Sequence, residues 1–193
     1  MIYNVPSDFL TSNEVSSDCT DPQVIVHPFF FDPGMYVSRS RVHGNSFVRG
    51  YASNIDLTLA RYAGPIFVLE EPEHAINARH YVAEKCRRTE KASVTPAGES
   101  EIFRIESIYN HLKKSGAARV NIGGGYLDWL EIQKRKDGSI SKLDAGVCLG
   151  VILERMLAHG IRVNVNPEIV YDYISVAHGK GKSIENTLSR ISR

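Results

Sequence analysis

The sequence has little that would staple the chain or carry it into a bilayer. Its three cysteines, Cys19, Cys86 and Cys148, fall at unrelated spacings in 193 residues, which excludes a disulfide framework and a metal knuckle. A reducing, cytoplasmic location is therefore expected. No stretch approaches the roughly 18 apolar residues needed to span a membrane. The opening MIYNVPSDFL lacks the basic-then-apolar order of a secretory signal. An excess of one charge is missing too. Lys+Arg number 23 against Asp+Glu 22, so the global basicity of a nucleic-acid coat is excluded. What is present is 42% hydrophobic and 23% charged, the composition of a chain able to bury a core. The length fits one domain, or one domain with an appended tail.

Residues 1–22 are polar and read as an irregular arm with one short helical turn. Val24-Ile25-Val26 starts a buried strand that runs toward Phe29-Phe30-Phe31 and breaks at Asp32-Pro33-Gly34. Met35 to Gly50 reads as extended chain or loop, its glycines arguing against a helix. Ser53 or Asn54 then caps a helix with Ile55, Leu59 and Tyr62 on one face. Ile66 to Leu69, apolar throughout and bounded by breakers, suits a strand covered on both faces. A helix from Glu73 to Arg88, with Ile76, Tyr81 and Val82 as its apolar residues, precedes a polar loop from Thr89 to Ser100.

Ile102, Ile105, Ile108 and Leu112 recur at helical spacing until Ser115-Gly116 ends the helix. A strand from Arg119 to Ile122 leads into three glycines and then a hairpin turned by Asp137-Gly138. Ser141 and Asp144 match a capping box for a strongly apolar helix that ends at His159-Gly160, and Ile161 to Val165 is the last strand. This alternation predicts a three-layer α/β/α sandwich with a mostly parallel sheet. It occupies residues 23–174, with the hairpin near 128–143 and a basic tail over 175–193.

Ligands of open parallel sheets bind beyond the carboxyl ends of the strands. That rim is expected to carry His27 or Asp32, then Glu70 and Glu71, then Gly123, Gly124 and Gly125 with Asp128, and finally Asn166 and Glu168. Glycines after a buried strand let main-chain N–H groups approach a phosphate or oxyanion, or else mark a tight crossing of chains. The run is neither G-x-G-x-x-G nor a phosphate-binding loop ending in Lys-Ser/Thr. Glu70 and Glu71 suit a general base or a hard cation, but neighbours on a strand face opposite sides, so at most one serves a common site. Seven scattered histidines form no H-x-x-x-H or H-x-H pair, and no metal site is expected from them. Counted from a cap at Ser141, Cys148 lies about two turns into its helix, where the dipole has faded.

Two stretches of the C-terminal half resemble the isochorismatase-like cysteine hydrolases. One runs from Leu112-Lys113-Lys114-Ser115-Gly116 to Arg119-Val120-Asn121-Ile122-Gly123-Gly124. The other joins Val147-Cys148-Leu149-Gly150-Val151 to Ala158-His159-Gly160-Ile161-Arg162-Val163. The resemblance implies a three-layer fold and an Asp–Lys–Cys constellation that hydrolyses amides or enol ethers of small molecules. Cys148 would be the nucleophile. His27 stands where the family's aspartate is expected, so Asp32, five residues on, would be a displaced base. Three functions stay open: a diverged small-molecule hydrolase, a nucleotide- or phosphate-binding domain using Gly123 to Gly125, and a non-catalytic interaction or assembly protein that forms oligomers. The cofactor is unspecified, and nucleic acid is expected to meet the basic tail alone.

Overall fold

A computed structural model describes residues 2–28, 45–96, 105–125, 130–145 and 147–171. In chain order these form β1 (Ile2–Val5), a 3-10 turn (Ser7–Phe9), β2 (Leu10–Ser12), β3 (Gln23–Val26), α1 (Asn45–Arg61), β4 (Ile66–Glu70) and α2 (Ala75–Lys85). There follow a second 3-10 turn (Thr89–Lys91), β5 (Ala92–Pro96), α3 (Ile105–Lys114), β6 (Arg119–Gly125), β7 (Leu130–Lys134), β8 (Ile140–Ala145), α4 (Val147–Ala158) and β9 (Arg162–Tyr171). The main sheet has six strands in the order β2-β9-β6-β3-β4-β5, and every pairing within it is parallel.

From β3 the chain winds outward through β4 to β5, then crosses back to lay β6 and β9 on the other side. The strand order reverses between β3 and β6. Such a reversal opens a crevice at the carboxyl ends of the two strands.

Alternate residues of each strand enter two separate cores. On one face Val24, Val26, Leu69, Val120, Ile122, Val163 and Val165 pack under α3 and α4, which contribute Ile108, Leu112, Leu149, Leu153 and Met156. Facing the other way, Ile25, Ile66 and Val68 meet Tyr51, Ile55 and Leu59 of α1 and Ala78 and Val82 of α2. The fold is thus the three-layer α/β/α sandwich that the alternating pattern predicted. Each fully buried Leu or Ile adds about 1.5–3 kcal/mol of gross hydrophobic stabilisation, so α4, with Leu149, Leu153 and Met156 fully covered, is anchored by packing. On the opposite face α2 is tied to α1 by polar contacts: Tyr81 hydrogen-bonds Asp56, and Lys85 Nζ lies 3.7 Å from the same carboxylate. Among the described residues no helix is long and apolar enough to cross a membrane.

Several local expectations give way to long-range pairing. Residues 1–22 contain the expected helical turn, but also β1 and β2, so the segment is not an irregular arm. Helix α1 starts at Asn45, includes Gly50, and leaves Ser53 and Asn54 in its interior. The stretch from Thr89, expected as loop, supplies the edge strand β5. Of the apolar residues of α2, Val82 is buried while Ile76 is 64% exposed. The hairpin forms as predicted, its turn held by Asp137 Oδ1, which accepts from Ser139 N at 2.9 Å. Its second arm also pairs with β1, giving a separate antiparallel sheet β1-β8-β7.

The capping box is not made. Ser141 and Asp144 lie in β8, where the Ser141 hydroxyl donates to the Gln133 carbonyl at 2.9 Å. Cross-strand pairing has claimed both residues, and the helix begins at Val147. Strand β9, expected to stop at Asn166-Pro167, runs on to Tyr171 through a bulge, because its register against β6 shifts between Ile122 and Gly124. The strand expected through Phe29-Phe30-Phe31, the Asp32-Pro33-Gly34 turn, Asp128 and the basic tail lie outside the described residues.

Candidate functional site

The parallel register arranges the buried polar residues on the α1/α2 side of the sheet into two transverse rows. The first crosses the amino-terminal half: Thr11 of β2 opposite Asn164 of β9, then Asn121 of β6, then Gln23 of β3. Here the sheet is covered by the connection from β2 to β3, with Val15 and Cys19 packed against the core. A loop brings main-chain N–H and C=O groups that need partners once buried, and the row supplies them. Asn164 Oδ1 accepts from Asn13 N at 2.9 Å and Thr11 Oγ1 at 3.0 Å. Its Nδ2 donates to Asn13 O and to Asn121 Oδ1, both at 3.0 Å. Asn121 Nδ2 donates to the Tyr62 hydroxyl at 3.0 Å, which donates in turn to Asp21 O at 2.6 Å. Burial, reinforced by Cys19 beside it, pushes the Tyr62 phenol above its ordinary range, so it stays a neutral donor. In Gln23 the amide Nε2 reaches two carbonyls, while Oε1 has no partner among the described residues.

The second row lies at the carboxyl rim, two strand repeats further on. Val26 is opposite both Leu69 and Gly124, and the His27 N–H extends the ladder by donating to Leu69 O at 2.7 Å. His27 therefore stands between Glu70 and Gly125, and Gly125 is opposite Tyr171. The row Glu70, His27, Gly125, Tyr171 spans the reversal between β3 and β6. His27 is buried and holds φ at 40°, a left-handed conformation that costs a residue with a Cβ about 1–2 kcal/mol. Tyr171 meets the ring of Tyr51 from α1 edge to face, with centroids 5.1 Å apart.

Glu70 is the anomalous member. It is 2% exposed. Oε1 accepts from Glu71 N at 2.9 Å, and Oε2, equally buried, has no hydrogen-bond partner among the described residues. Burial, helped by the nearby carboxylates of Glu71 and Glu73 and opposed by the Glu71 N–H, pushes its pKa up to about 8. A neutral carboxylic acid at the carboxyl end of a buried strand can donate and accept hydrogen bonds or pass a proton.

The glycine run is largely explained by packing. A Cβ on Gly123 would stand 2.4 Å from Ile169 Cγ1, and one on Gly124, whose φ is +106°, would lie 2.0 Å from Val26 O. Both lack a side chain because β3 and the bulge of β9 press against β6. Gly125, last of the three, brings no side chain to the rim row. Asn166 and Glu168 belong to the bulge, where the Asn166 side chain accepts from Glu168 N at 3.2 Å and Asn54 of α1 donates to Glu168 O at 2.9 Å.

Cys148 lies in the first turn of α4, half-buried against the core that α3 and α4 share. The count from Ser141 had set it two turns deep. Donor atoms of Glu71, Glu73 and His74 gather within 4.8 Å of one another in the turn after β4, but Glu73 is exposed and water satisfies such groups unaided. Sequence reasoning named Glu70 and His27 separately and missed Tyr51 and Tyr171. The spacing of Gln23 to His27 and Asn121 to Gly125, polar or small positions four apart on neighbouring strands, was the available signal. No family model, curated protein or solved structure matches the chain.

Proposed function

We propose that the chain binds a nucleoside-class small molecule at the crevice between β3 and β6, with Glu70 as its polar anchor. The carrying observation is the buried Glu70 Oε2, without a partner among the described residues, in a row that spans the strand reversal. Leaving a buried acceptor unmatched costs about 1–3 kcal/mol, more if charged, and a ligand hydroxyl would recover that loss. The topology supports the same reading by analogy of position. In doubly wound sheets that bind dinucleotides, an acidic residue after the second strand takes the ribose hydroxyls, and β4 is second here when the strands are counted outward from β3. Gly125, at the reversal itself, adds no side chain between His27 and Tyr171.

A thermal-shift panel of nucleosides and their 5′-monophosphates tests this, because anything that binds only the native state raises its melting temperature. At least one member is expected to raise it, and Glu70→Ala to abolish the effect. No shift from any member at millimolar concentration contradicts the reading.

The start of α4 at Val147 favours a second reading. A thiol in the first turn of a helix is activated by the dipole, which suits the cysteine-hydrolase resemblance with Cys148 as nucleophile. Its aspartate partner, Asp32, lies outside the described residues. Loss of amide or ester hydrolysis in Cys148→Ser supports this alternative, and full retention removes it.

A further inference from the structure

Resting on the nucleoside reading, we infer that Glu70 meets its ligand as a neutral acid, its Oε2–H donating to an oxygen or ring-nitrogen lone pair, so that the site takes uncharged polar groups and rejects cationic ones. The geometry argues it in three steps. Oε1 is already engaged by the Glu71 N–H, which leaves Oε2 as the atom a ligand must address. That oxygen is sealed from water, where an uncompensated negative charge is far costlier than a hydroxyl. The remaining charge near it is also negative, since Glu71 and Glu73 both act on Glu70 to disfavour its ionisation.

The other titratable or charged groups that described elements bring toward this rim include His27 after β3, His74 ahead of α2, Arg49 and Tyr51 of α1, and Glu168 and Tyr171 of β9, while β5 ends in Pro96. The upward shift of the Glu70 carboxyl agrees with this arrangement. A protonated carboxyl matches a sugar hydroxyl in kind, because each donates one hydrogen bond and accepts another. A ligand ammonium would need the carboxylate.

The test combines one measurement without ligand and one with it. Carbon-13 NMR of the glutamate carboxyls should show one group titrating far above the ordinary range and missing from Glu70→Gln. A Glu70 resonance titrating with the other glutamates overturns the inference. Adenosine binding is then followed from about pH 6 to about pH 9.5, a window in which the probe does not ionise.

Affinity should fall by up to about tenfold per pH unit once Glu70 ionises. Glu70→Gln, which keeps a donor at that position, should bind at neutral pH and show no fall. A flat wild-type profile, a sloped Glu70→Gln profile (which would assign the effect to His27 or His74), or loss of binding in Glu70→Gln each contradicts the inference. Failure of every nucleoside to bind at any pH sinks the nucleoside reading instead, and the NMR titration still decides the protonation state.

Discussion

The two ends of the sheet treat buried polar groups in opposite ways. At the amino-terminal end, Asn164 uses its oxygen and its nitrogen twice each, and Asn121 and Tyr62 pass the chain of bonds on to Asp21. Gln23 Oε1 is the one loose end there among the described residues. At the carboxyl end a carboxyl group is buried with an oxygen unmatched, beside a histidine in a left-handed conformation and a glycine pressed against Val26. The first arrangement is how a fold buries a loop. The second carries local costs, an unmatched carboxyl oxygen and a left-handed histidine, and such costs collect at functional sites. Polarity alone therefore does not mark a site. The unmatched Glu70 oxygen, close to the strand reversal, is what supports the proposed site.

The contrast can be broken at several points. The largest effect should come from Gly124→Ala, which drives a methyl group into the Val26 main chain in a conformation that strains any residue with a Cβ. A loss of at least about 3 kcal/mol, measured by urea unfolding, is expected. An effect under about 1 kcal/mol would show that the two strands separate easily at the reversal.

Asn164→Ala comes next. It strands the Asn13 main-chain groups and Asn121 Oδ1, at about 2–4 kcal/mol, without altering ligand binding at the other end. Equal damage to both would mean that the two rows are not independent. Glu73→Gln should have the smallest effect, lowering the Glu70 titration by a fraction of a pH unit, because one of two neighbouring like charges is removed. A rise in that titration would contradict the electrostatic account.

Much of the layering was legible in the sequence because burial on both faces leaves continuous apolar runs. Val24 to Val26 and Ile66 to Leu69 read as strands for that reason, and Ile55 and Leu59 marked the buried face of α1. Elements whose stability comes from partners were not legible. Strand β5, Ala-Ser-Val-Thr-Pro, is half-buried at an edge and has no strong pattern of its own. Ser141 and Asp144 satisfied a local capping rule that the hairpin overrode. The site was visible only in fragments. Glu70 and His27 stood at strand ends, but their alignment with Gly125 and Tyr171 depends on register between parallel strands, which local pattern does not encode. Ile169 covering Gly123 depends on the bulge in β9, concealed by a proline that reads as a stop.

Glu70 is a group the fold tolerates at a cost. Its pKa is raised from 4.5 in the unfolded chain to about 8 in the folded one, so between those values the native state holds the extra proton. The associated stability is complete below the unfolded value and is lost as pH rises through the folded one. Urea unfolding of wild type and Glu70→Gln at about pH 5 and about pH 9 measures this directly. The substituted protein should gain on wild type by roughly 3–5 kcal/mol across that interval, ending as the more stable of the two at the alkaline end. A difference that stays constant with pH, or a Glu70→Gln protein that falls further behind as pH rises, would contradict it.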